Sequence, residues 1–260
     1  MALMYAGTSG WAYANWKPRF YPAKLGAAKF LAHYATRLNS VEVNYTFRRF
    51  VSEKTLGNWI ASTPPQFKFS AKAHQSITHF KRLKDAGQQT RTFLDSLEPL
   101  ADAGKLGMVL FQLPPFLKSD TGLLEDFLGG LPRSRRFAFE FRHASWFNDA
   151  TYNALRQFNA AMCIAESEKM ETPDVVTADF CYYRLRRPEY SLRSVRKIGR
   201  HVDSHVKEGR NVFIYFKHEE NPAGALYAER LLGMVAHPPP VNRSAGKRAK
   251  AGRENPPFIF

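Results

Sequence analysis

The sequence predicts an α/β chain of the (β/α)8 TIM-barrel class, a single domain with a basic C-terminal tail. Two observations carry that reading. Eight short apolar runs alternate with helix-like stretches over about 235 of the 260 residues, the layout of a parallel barrel. Polar residues also gather late in those runs, where barrel sites form. An open doubly wound sheet is the structural alternative, but no Gly-x-Gly-x-x-Gly turn follows the first run.

The strand candidates, in order, are residues 3–6, 40–44, 67–71, 107–112, 137–141, 161–165, 180–185 and 212–216. Helices are predicted over residues 27–38, 53–62, 88–100, 121–128, 149–159, 190–207 and 223–235. In the first of these, Phe30, Leu31, Tyr34 and Leu38 recur at helical spacing. The connection over residues 167–176 carries Pro173 and little helical pattern, and is the weakest link of the layout. The barrel domain is assigned to residues 1–236. From His237 three prolines and a run of Ser, Gly, Lys and Arg predict a flexible basic tail over residues 237–260.

The fifth run is the most informative. Alternation in Phe137-Ala138-Phe139-Glu140-Phe141-Arg142 puts three phenylalanines on one face and Ala138, Glu140 and Arg142 on the other. Burying charge is costly unless it is paired, so fixed charges at the inward end of a strand mark either a structural ion pair or a site. The same alternation aligns Glu42 with Asn44 and Ser70 with Lys72, and puts Gln112 in line with Met108 and Leu110. It also aligns Tyr182, Arg184 and Arg186. Read together, these residues form a cationic cup holding two carboxylates. Cations this close should keep Glu42 and Glu140 ionised, which suits a general base better than a general acid. Surplus positive charge favours a phosphate or carboxylate held by guanidinium groups.

Composition points the same way. The formal charge is +15, which favours anionic partners without identifying one. Cys163 and Cys181 both sit in apolar runs and read as buried free thiols, consistent with a reducing cytoplasm. No signal peptide and no membrane-spanning run is apparent. A metal on Glu42, Glu140 and His143 is weighed, but a single His without a spaced partner is a weak ligand set. No metal and no cofactor is therefore assigned. The stretch 190–207 is amphipathic, with Arg193, Arg196, Lys197 and Arg200 away from its apolar stripe. That is read as a solvated face first and a nucleic-acid contact second.

The chain also resembles the YecE-like family, a domain of unknown function (number 72). The matching segments are Gly7-Thr8-Ser9-Gly10-Trp11, Val41-Glu42-Val43-Asn44, Ile77-Thr78-His79, Gln112-Leu113-Pro114-Pro115, Glu140-Phe141-Arg142-His143 with Ser145-Trp146, and Tyr182 with Arg184-Leu185. The resemblance implies a barrel and a shared polar pocket, with Glu42, Asn44, Gln112, Glu140, Arg142, His143 and Arg184 at matching positions. It implies no settled activity. The chain departs from the pattern at Arg48, Arg186-Arg187 and Lys217-His218, each change adding basic or titratable groups.

The expected function is that of a hydrolase acting on an anionic small molecule at the barrel mouth. Glu140, Glu42 and His143 are the catalytic candidates. Asn44, Lys72, Gln112, Arg142, Tyr182, Arg184 and Arg186 are the substrate-binding candidates, with Trp11 and Trp146 as aromatics near the mouth. The alternatives are a nucleic-acid-binding or phosphodiester-cleaving protein, using the basic helix and tail, and a non-catalytic small-molecule sensor.

Overall fold

The computed structural model describes residues 2–167 and 170–234. Eight parallel strands form the wall: β1 Met4–Thr8, β2 Ser40–Val43, β3 Lys68–Lys72, β4 Leu106–Gln112, β5 Phe137–Glu140, β6 Ala161–Ser167, β7 Phe180–Leu185 and β8 Asn211–Phe216. Their spatial order runs β1–β8–β7–β6–β5–β4–β3–β2, a nearly closed (β/α)8 barrel. Helices α1 Phe30–Tyr34, α2 Glu53–Ala61, α3 Gly87–Asp95, α4 Glu98–Asp102, α5 Thr121–Gly129, α6 Asp149–Gln157 and α7 Leu192–Lys207 lie in the connections between strands, and α8 Ala223–Leu232 follows β8.

Two helical stretches differ from expectation, and the weak link after β6 lacks a helix as expected but gains a short strand. The first helix stops at Tyr34, and the chain continues in tighter turns, with Arg37 N–H donating to the Tyr34 carbonyl at 3.0 Å. The stretch 88–100 divides into α3 and α4, with Pro99 in the first turn of α4, where its missing N–H costs nothing. Residues 167–176 hold no helix among those described; Met170–Glu171 instead pairs antiparallel with the end of β6. The basic tail, and Val235 at the end of the last predicted helix, lie outside the described residues.

Strand alternation sorts the core into two layers. Phe111, Phe137, Phe139 and Phe141 face outward into the large cluster beneath the helices. Tyr5, Met108, Leu110, Ala138, Cys163, Phe180, Tyr182, Phe213 and Tyr215 fill the barrel itself. Small residues on β5 and β6 (Ala138, Ala161, Ala165) make room for the large rings of β7 and β8, as a packed interior requires.

Closure of the ring is unusual. Between β1 and β2 the regular ladder is reduced to one bridge, Ser9 with Glu42. Side chains take over the rest. Asn39 accepts from Ala6 N–H through Oδ1 and donates to the Met4 carbonyl through Nδ2, both at 2.9 Å. The Tyr34 hydroxyl accepts from Thr8 N–H at 2.8 Å and donates to the Ser40 carbonyl at 2.9 Å. Each satisfies backbone groups that would otherwise be buried without partners. Gly7 permits the approach, since a Cβ there would lie 1.9 Å from the Ser40 carbonyl oxygen. A Gly7→Ala chain is therefore expected to lose about 3 kcal/mol or more of stability, measured by chemical denaturation; an unchanged midpoint would contradict this account of the seam.

Candidate active site at the barrel mouth

The C-terminal strand ends bring the predicted residues together. Glu42 ends its inward face on β2, Lys72 closes β3, Gln112 closes β4, Glu140 closes β5, and Tyr182 and Arg184 stand on β7. Strand register makes this possible, because Gln112 is paired with Glu140 across β4 and β5.

Arg184 is the centre. Its Nε and Nη2 donate to Glu42 Oε1 at 3.2 and 2.7 Å, and its Nη1 donates to Glu140 Oε2. Ser9 Oγ donates to Glu42 Oε1 and Tyr182 donates to Glu42 Oε2, each at 2.6 Å. Arg186 Nη2 donates to Glu140 Oε2 at 3.2 Å. Gln112 Nε2 donates to Glu140 Oε1 at 2.9 Å, and Lys72 Nζ donates to Gln112 Oε1 at 2.7 Å. One hydrogen-bonded chain thus links Tyr182, Glu42, Arg184, Glu140, Gln112 and Lys72. Two carboxylates face two guanidiniums and one ammonium, so the cluster carries a small positive excess.

This corrects the expected roles. Glu42, Glu140 and Arg184 are almost wholly buried, at 0, 1 and 2 % exposure, so Arg184 serves the carboxylates and is not presented as an anion grip. Arg187 is likewise paired, with Glu166 at 3.2 Å. Burial opposes ionisation of Glu140, but Arg184 and then Arg186 outweigh it and hold its pKa down at about 2. Glu42 is lowered in the same way, Arg184 overcoming its desolvation. A carboxyl near 2 is a feeble base at neutral pH.

Lys72 behaves differently. Burial, reinforced by Arg184, pushes its ammonium down from 10.5 to about 8, although Glu140 and Glu42 pull the other way. Its Nζ also sits 4.0 Å above the Phe47 ring, a cation–π contact. Among the described residues, Arg186 Nε, Asn44 Oδ1 and His218 Nδ1, each just past the C-terminal end of a strand, are buried without a hydrogen-bond partner. Orphaned groups of this kind call for an explanation.

The remaining candidates separate. Arg142 is exposed, yet close enough to His79 that its charge, after burial and Lys72, lowers the imidazole's pKa. His143 caps the turn that follows it, Nδ1 accepting from Ser145 N–H at 3.2 Å. Trp146 does not line the mouth. It is fully buried, stacked on Phe141 with ring centres 4.6 Å apart, and its indole N–H donates to the Leu117 carbonyl at 2.8 Å. Trp11 is half-buried, edge-on to Trp59. Ser9, Phe47 and His79 adjoin the cluster and were not singled out by alternation alone; for Ser9 and His79 the family-like motifs containing them were the available signal.

The burial of the triad predicts its acid response. Glu140 has a folded pKa near 2, below an unfolded value of about 4.3. Its contribution is therefore complete above about pH 5 and is lost as pH falls toward 2, amounting to about 3 kcal/mol. Glu140→Gln should flatten that part of the stability–pH curve in urea titrations between pH 7 and pH 3. It should also cost about 3–5 kcal/mol at pH 7, since Arg184 loses one of its two counter-charges.

Comparison with known proteins agrees with this architecture. A family model described as "Protein of unknown function DUF72" matches residues 5–250. The UPF0759 protein YunF of Bacillus subtilis is 30% identical over 169 residues, covering 61% of this chain and 57% of its own length. The UPF0759 protein YecE of Escherichia coli K12 is 28% identical over 146 residues, covering 56% and 50%. The chain therefore matches only about half the length of these curated relatives. A crystal structure of a DUF72 family protein from Thermotoga maritima superposes with a TM-score of 0.79 at 26% identity, covering 89% of this chain and 98% of that one. One from Enterococcus faecalis gives 0.76 at 16% identity over 90% and 95%, a likeness of fold. The family match spans nearly the whole sequence, and the chain belongs to the DUF72 family.

Proposed function

We propose that the chain is an enzyme acting on a phosphate- or carboxylate-bearing small molecule at the C-terminal mouth of the barrel, with hydrolysis as its reaction. The observation that carries this reading is Lys72 at the end of β3, whose pKa is lowered to about 8 by burial and in part by Arg186, a guanidinium whose Nε is buried without a partner. A partnerless donor near a readily titrated amine suits binding and proton transfer together.

In this reading Glu42 and Glu140 hold charge and do not abstract protons. They fix Arg184, which shapes the floor. Arg186 and Arg142 attract the anion, and Asn44 and Gln112 orient it. Neutral Lys72 takes the proton from the attacking water, a role open to an amine that is partly deprotonated near pH 8.

A screen of phosphorylated and carboxylated metabolites by thermal shift, followed by turnover assays on the hits, tests the proposal. For a substrate so found, kcat/KM should rise with an apparent pKa near 8. Lys72→Met should lower kcat by about 100-fold or more while leaving the fold intact by circular dichroism. Full turnover in that variant would overturn the role of Lys72. Stabilisation without turnover would favour a sensor.

A second reading has its own observation. Tyr45, Phe80 and Phe116 are exposed, at 55, 70 and 63 %, on the connections that follow β2, β3 and β4. The Arg82 guanidinium lies 5.4 Å from the Phe116 ring. Exposed aromatics among cations suit stacking on unpaired bases. Binding of single-stranded oligonucleotides should then weaken steeply between 50 and 200 mM salt, on the scale of tenfold or more; absence of binding at low salt would end this reading.

A further inference from the structure

On the opposite side of the barrel wall, the outward side chain of β7, Tyr183, meets α7 and the segment leading into β7. Alternation sends Tyr182 and Arg184 into the barrel and Tyr183 away from it. Three potential ligands collect there: Asp174, His201 and His205. One ligating atom from each lies within 4.8 Å of the other two. The two histidines stand four residues apart on α7, so they project from one face of the helix, as paired ligands require. His201 Nε2 is 2.9 Å from Asp174 Oδ2 and 3.2 Å from the Tyr183 hydroxyl.

His205 is the telling member. It is 8 % exposed, and neither ring nitrogen has a hydrogen-bond partner. An imidazole buried among rings without a partner for either nitrogen is costly. The neighbouring cation, Arg210, is already engaged by Glu208. The His205 ring centre is 4.9 Å from that of His201 and 6.3 Å from that of Tyr183. It therefore stands against the other ligands, with a lone pair that nothing in the surrounding protein uses.

We propose that Asp174, His201 and His205 form a binding site for a divalent transition metal of the zinc class, separate from the barrel mouth. Two imidazoles and a carboxylate are a recurrent donor set for Zn2+, leaving one tetrahedral position for water. Tetrahedral Zn2+ with bonds near 2.0–2.1 Å spaces its ligand atoms about 3.3 Å apart. The cluster brackets that distance and reaches it through small side-chain adjustments. Asp174 and His201 are half-exposed, with side-chain exposures of 51 and 41 %, so the metal has an entry path. Bound there, it ties the β6–β7 connection to α7 and gives His205 the partner it lacks. The site uses no residue of the mouth, so it stands or falls independently of the function proposed above.

The untagged full chain, freed of metal with chelator, tests this by calorimetric titration with Zn2+ and by the visible spectrum of the Co2+ form. One equivalent of Zn2+ should bind, with tetrahedral Co2+ absorption, and saturating Zn2+ should raise the Tm by about 5 °C. His201→Gln and Asp174→Asn, both at half-exposed positions, should fold normally. Each should weaken Zn2+ binding tenfold or more and lose the Tm shift. His205→Leu should lose binding while keeping or raising the metal-free Tm. Absence of saturable Zn2+ binding, or equal affinity in wild type and His201→Gln, would overturn the proposal.

Discussion

A single guanidinium shared by two ionised carboxylates governs the interior of this barrel. Arg184, Glu42 and Glu140 have almost no contact with solvent, and each would be intolerable there alone. Together they are mutually neutralising to within one charge, and the groups around them complete the hydrogen bonding: Ser9 and Tyr182 on Glu42, Gln112 and Arg186 on Glu140. Because these residues come from β2, β4, β5 and β7 and their flanks, with Ser9 following β1, the charges can meet only when the ring is assembled. The triad therefore reports on the fold as much as on the site, and a barrel with one strand displaced would leave a bare charge in its centre.

The same interaction sets the chemistry above it. Arg184 holds the carboxylates so strongly that they are poor proton acceptors, and its positive charge adds to burial in weakening the Lys72 ammonium. The titrating group nearest neutrality in this hydrogen-bonded chain is consequently a cation, not an acid. Arg186 occupies the boundary, with one guanidinium nitrogen bonded to Glu140 and Nε buried without a partner. The mouth is thus layered: a saturated ionic floor, then a few groups with unused bonding capacity.

Much of this was legible in the sequence. Alternation in residues 137–142 correctly sends the phenylalanines outward and Glu140 inward, because a strand buried on both faces still obeys a period of two. The same rule correctly oriented Gln112, Tyr182 and Arg184. Alternation does not say which charge satisfies which. Arg184 looked like a ligand-binding cation because its partners, Glu42 and Glu140, lie 142 and 44 residues away along the chain. Trp146 looked like a rim aromatic because it follows a strand end, but the turn capped by His143 folds it back onto Phe141. Asp174 was invisible as a neighbour of His201 and His205, lying in a segment with no periodicity, and the four-residue spacing of the histidines was absorbed into an amphipathic helix. Recurring motifs marked His79 and Ser9 without disclosing what either touches.

The seam between β1 and β2 has a consequence for which substitutions this chain can accept. Elsewhere around the wall, neighbouring strands are joined by main-chain amides, which any sequence possesses. Here the join depends on the identity of a carboxamide and a phenol, Asn39 and Tyr34. Circumference at that one place is specified by side chains, so substitutions tolerated around the rest of the ring could unclasp it there. A barrel built this way concentrates its vulnerability to mutation in one narrow staple instead of distributing it among eight joints.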